Sequence, residues 1–196
     1  MARKRAQRPR RRERGRGLAV GEGPVTERDY VERLKQHLPR DSSSVTVKVV
    51  GSGEDPLRAL SLAKRLREEA ARQGEPYDWV CLLLDVDDHA TLPRCLIEAK
   101  RSGVHVVVSN PQFELWLVWH IADHTAWVEG KKISRRASGL KLVEGKHLDA
   151  KFPIHGYEDA VVRARQADQG MADARQGPNP SSSMPLLVAL MQGGAP

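Results

Sequence analysis

Residues 77–85, YDWVCLLLD, are apolar almost throughout, and this run constrains the fold more than any other feature of the chain. A strand with one wet face alternates apolar and polar side chains, whereas a strand that is apolar on both faces has to be covered on both. VHVVVS (104–109) reads the same way, and SVTVKVV (44–50) is an alternating, β-branched strand. GLAV (17–20) is a shorter apolar run that stops at GEGP.

Between these runs the period changes. Tyr30, Val31, Leu34 and Leu38 recur at helical spacing after Thr26, a candidate N-cap, and LRALSLAKRLREEAARQG (57–74) is amphipathic and closed by Gly74. A helix over about 92–102 ends at Ser102-Gly103, and PQFELWLVWHI opens another with Pro111 in its first turn. Strands alternating with helices require an α/β fold: a mostly parallel sheet, helices on both faces, right-handed crossovers. Beyond residue 123 the pattern weakens. KKISRRASGLKLVEGK (131–146) reads as an exposed basic loop or small hairpin, QGPNPSSS (176–183) as a loop, and 157–169 and 183–192 as helices.

The chain has 196 residues, two cysteines and a formal charge of +7. Residues 1–16 hold nine of the 32 basic residues and one of the 25 acidic ones, leaving 23 and 24 in 17–196. The charge is therefore local: 1–16 reads as a disordered basic arm that seeks phosphates or other anions, and 17–196 as a single domain with C-terminal helices. The arm lacks the apolar stretch of a secretory signal, and no run approaches the ~18 apolar residues of a membrane span. With Cys81 in a predicted strand, Cys95 in a predicted helix and no zinc spacing, the expectation is two buried thiols and a cytoplasmic protein without membrane partners.

The strand at 77–85 runs into LLLDVDDH, three carboxylates in four positions. Side chains at i and i+2 of a strand point the same way, so Asp85 and Asp87 share one side while Val86 takes the other. Adjacent anions repel unless something positive lies between them, and Mg²⁺ needs only one or two protein carboxylates, filling its shell with water and substrate phosphate. The carboxyl ends of strands in an open α/β sheet are also where ligands bind. The competing reading makes these residues a solvated turn and Asp88 a helix N-cap. Glu22, in GEG, falls at the end of the first strand between glycines that permit a tight turn and close approach of a ligand, which favours the metal reading.

VGEGPVTE, GSGEDP, YDWVCLLLDVDDH and SNPQFELWLVWH, in that order, resemble the RloB-like family, associated with restriction-modification and phage-defence loci and related to the Toprim fold. The resemblance covers about 17–190. It implies a Toprim-like domain in which Glu22, Asp85 and Asp87 hold Mg²⁺ (or Mn²⁺), with Glu22 also available as general acid or base. The implied reaction is cleavage of a phosphodiester in RNA or DNA. It also marks Asn110, Phe113, Glu114 and His120, with Glu114 sharing the site of the aspartates and His120 taking a functional part.

Other features allow two readings each. Phe113, Leu117 and His120 lie on one helical stripe, which for the aromatics is core packing; His120 and Glu114 do not share a helix face. His89 is a loop histidine or a proton-transfer partner. GSGEDP is a turn with an N-cap or a phosphate-binding loop, and the basic stretch at 131–141 is a phosphate grip or a solvated loop. The leading function is a Mg²⁺-dependent nuclease. Its rivals are a non-catalytic Toprim-like partner module of a neighbouring ATPase or restriction complex, and a nucleotide-sugar transferase built on the same "hhhhDxD" pattern.

Overall fold

The computed structural model describes residues 15–21, 25–39, 44–49, 55–86 and 90–194. Within them β1 (Arg16–Gly21), α1 (Thr26–His37), β2 (Ser44–Val49), α2 (Pro56–Arg72), β3 (Trp79–Asp85), α3 (Leu92–Arg101), β4 (His105–Asn110) and α4 (Glu114–Trp119) alternate as the periodicity requires. After them come α5 (Gly130–Gly139), a hairpin of β5 (Val143–Glu144) and β6 (His147–Leu148), a short 3₁₀ turn, α6 (Tyr157–Ala167), β7 (Ser181–Ser182) and α7 (Met184–Met191). No helix among the described residues is long and apolar enough to cross a membrane.

The five-stranded sheet has the order β2-β1-β3-β4-β7, parallel except for β7, which runs antiparallel to β4. This is the mixed α/β architecture expected, with a helical C-terminal part, and it is consistent with a Toprim-like fold. β3 lies between β1 and β4, and six of its seven residues are buried, the physical reason for its unbroken apolar run. Its alternate side chains enter two separate cores. Val80, Leu82 and Leu84 pack with Ala59, Leu60 and Cys95 under α2 and α3. Trp79, Cys81 and Leu83 pack on the opposite face with Tyr30, Leu34, Trp116 and residues of α5, α6 and α7. Asp85 continues the second set, so it leaves the sheet on the α1 and α4 side.

Trp79 lies across Gly17 of the neighbouring strand; a Cβ there would stand 2.0 Å from the indole, so this position in β1 accepts only glycine. Cys81 and Cys95 are buried and not in a disulfide.

Several details depart from expectation. Arg16, assigned to the disordered arm, begins β1, pairs with Glu75 at 3.0 Å and lies over the Tyr77 ring. Thr26 does not cap α1: it is the first helical residue, and its hydroxyl donates to the Lys146 carbonyl at 2.6 Å. Pro111 stands ahead of α4 rather than in its first turn. The stretch predicted as a basic loop or small hairpin is mostly helix α5, because Ile133 and Ala137, one turn apart, are both fully buried; only its end forms a hairpin, β5 with β6. Two buried residues in ten give too faint a stripe to recognise from sequence. By contrast, Asp55 caps α2 as expected, accepting from the Leu57 N–H at 2.8 Å.

Candidate functional site

The sheet order reverses direction between β1 and β3. α1 leaves β1 on one face, while α2 and α3 cover the other, so the carboxyl edges of these two strands open onto a topological switch point, the usual place for a ligand crevice. A cavity of about 190 Å³ opens there, lined by Val25, Thr26, Glu27, Asp85, Gln112, Phe113, Glu114 and Lys146.

Each polar residue is delivered by a different element. Asp85 is the last residue of β3, fixed by its pairing with Ser109. Glu114 is the first residue of α4, following the end of β4. Glu27 lies in the first turn of α1 and is only 8% exposed. Lys146 comes from the turn between β5 and β6, a hairpin secured along α1: Thr26 holds the Lys146 carbonyl, the His147 ring approaches Asp29 at 3.0 Å, and Arg33 donates to the Asp149 carbonyl at 2.6 Å. Three carboxylates and one ammonium thus line one cavity at this edge, at the positive end of the α1 dipole.

Of the residues singled out in the sequence, Asp85 and Glu114 line this cavity together, and Phe113 forms its wall. Glu22, Asp87, Asp88 and His89 lie outside the described residues, as do residues 1–14 of the arm and Gly51–Glu54 of GSGEDP. Asn110 is turned to the neighbouring loop, its side-chain amide donating to the Gly177 carbonyl at 3.0 Å.

His120 is elsewhere, 3% exposed and enclosed by Tyr30, Trp116 and Phe152. Its Nδ1 donates to the Trp116 carbonyl at 3.0 Å, leaving Nε2 to accept from the Tyr30 hydroxyl at 3.2 Å. Burial pushes its pKa down to about 4, and the same enclosure raises that of Tyr30. It is a neutral imidazole that ties α4 to α1.

Glu27, Gln112 and Lys146 were not foreseen. Glu27 follows GEGPVT directly, and an acidic residue in the first turn of the helix after β1 was the signal available for it. Lys146 carried none, since its place depends on the hairpin docking 120 residues away from Thr26.

A model of the RloB-like protein family matches residues 18–191, a span from β1 to α7 that contains every residue of the cavity. The chain belongs to the RloB-like family. No curated protein matches it.

The acidic edge of this RloB-like protein offers only hard oxygen donors. Among the described residues, no three His, Cys, Asp or Glu side chains stand close enough together to hold a metal ion. One or two carboxylates suffice for Mg²⁺, and the donor chemistry fits that ion and Mn²⁺ rather than zinc. A larger cavity, about 320 Å³, lies among Trp119, His124, Arg163 and Pro180; its one carboxylate, Asp123, is bound by Arg163 at 2.5 Å. That cavity has no acidic cluster to hold a cation.

Proposed function

We propose that this RloB-like protein is a Mg²⁺- or Mn²⁺-dependent nuclease, hydrolysing phosphodiesters of nucleic acid in a restriction-modification or phage-defence setting. The reading is carried by the convergence of Asp85, Glu27 and Glu114 with Lys146 on one cavity at the switch point of the sheet. The setting rests on the resemblance alone.

Asp85, with Glu114 or Glu27, would hold the ion; Glu22 and Asp87 are the further donors implied by the resemblance. When bound, the ion supplies Lewis-acid stabilisation of charge developing on the phosphoryl oxygens and a more acidic water. The chain's own residues do the rest. Lys146 places an ammonium beside the phosphate and neutralises part of its charge. Glu27, buried in the first turn of α1, adds negative charge beside the site of the ion. Phe113 closes one wall with apolar surface and limits competing water.

The test is cation titration by calorimetry with cleavage assays on labelled RNA and DNA, wild type beside Asp85→Asn. Tight cation binding and cleavage in the wild type, with cleavage reduced at least about 100-fold in the variant while its circular dichroism is unchanged, supports the assignment. Undiminished cleavage by Asp85→Asn rejects it. Cation binding without cleavage favours the partner-module reading.

A further inference from the structure

The chain has four tryptophans. Trp79, Trp116 and Trp119 are at most 9% exposed, whereas Trp127 is 66% exposed. An indole left in water forgoes much of the burial that usually places Trp in a core, so such exposure marks a contact surface when the residue is held in place.

Trp127 is held. The next residue, Val128, is buried, and its backbone N–H and carbonyl are both bonded to the Asn179 side chain, at 3.1 and 2.9 Å. Two residues on, α5 begins at Gly130, packed so closely on Gln112 that a Cβ there would stand 2.6 Å from the Gln112 Oε1. Ser134, one turn later, donates to that same oxygen at 3.1 Å. Gln112 lines the carboxylate cavity, so α5 is anchored to the cavity's rim. Chain length alone keeps the Cα of Trp127 within about 11 Å of that of Gly130.

The outer face of α5 is cationic. Ile133 and Ala137 point inward, which turns Lys131 and Arg135, one turn apart, to solvent; both are exposed, and neither has an ionic partner among the described residues. Lys146 lines the cavity itself and adds a positive charge there. An open aromatic face beside a row of cations fits one kind of polymer: unpaired bases stack on the indole while successive phosphates track the ammonium and guanidinium groups. A duplex keeps its bases stacked inside and offers Trp127 no π-face.

The geometry points to a single-stranded nucleic-acid track formed by Trp127, Lys131 and Arg135 and leading to the Asp85 cavity. This deepens the nuclease reading and rests on it for its destination, but binding along the track does not depend on cleavage.

The experiment measures binding by the full chain in EDTA, so that hydrolysis and affinity are read separately. Probes are labelled oligo-uridylate, oligo-deoxythymidylate and a DNA duplex of the same length. Single strands are expected to quench the fluorescence of the exposed indole and to bind more tightly than the duplex. Trp127→Ala should weaken single-strand binding on the order of ten-fold and Trp127→Phe restore most of it. Lys131→Gln with Arg135→Gln should lower the salt dependence of log K by about 1.4. Equal affinity of Trp127→Ala and wild type, or duplex binding as tight as single-strand binding, overturns the inference whether or not the protein cleaves.

Discussion

His120 shows how a residue marked by family resemblance carries a structural duty. Its imidazole bridges Tyr30 and the Trp116 carbonyl inside an aromatic cage, and protonation would place a charge among rings and remove the acceptor that the Tyr30 hydroxyl needs. Its folded pKa, about 4, lies below the ordinary 6.5, so the unfolded chain takes up the proton first. The stability this group contributes is complete above pH 6.5 and is lost as pH falls toward 4, at about 1.4 kcal/mol per pH unit. Urea unfolding at a series of pH values should show that slope in the wild type, and a shallower one in His120→Gln. At the same scale, Asp85 was legible from its place after LLL, because strand alternation sets its side. Glu27 and Lys146 were not, because burial of an acid and docking of a turn are tertiary facts with no local pattern.

Among the elements, strongly periodic ones were the most legible. β3, β4 and α2 fall within two residues of their predicted limits, since continuous burial and a long amphipathic face leave few alternatives. α5 was hidden by its composition: eight of its ten residues are Gly, Ser, Lys or Arg, and only Ile133 and Ala137 are buried. That thin attachment makes a sharp prediction. Ile133→Ala should cost about 2–4 kcal/mol by differential unfolding and release α5 from the body. Hydrogen exchange in 130–139 should accelerate more than exchange in β3, and equal acceleration in both would show that α5 is an integral part of the cooperative core.

At the scale of the whole molecule, the last elements complete the first. β7 is two residues long, yet Ser182 meets the Ser109 hydroxyl at 2.9 Å, Ser183 accepts from the Val108 N–H at 2.9 Å, and α7 packs its apolar residues into the core beneath Trp116. These contacts give the carboxyl end of β4, at Ser109 and Asn110, a strand partner on the side away from β3. Truncating the chain after residue 180 should therefore expose the β4 edge, and the shortened chain is expected to aggregate at concentrations where the intact one is monodisperse by light scattering.

The separation of 73 residues between Ser109 and Ser182 has a further meaning during synthesis. β1 to β4 leave the ribosome first, but the strand that seals them and the helix that covers Trp116 follow only after residue 191 has been made. A nascent chain therefore carries the end of β4 without its antiparallel partner, and Trp116 without its cover, until residues 181–191 have been made.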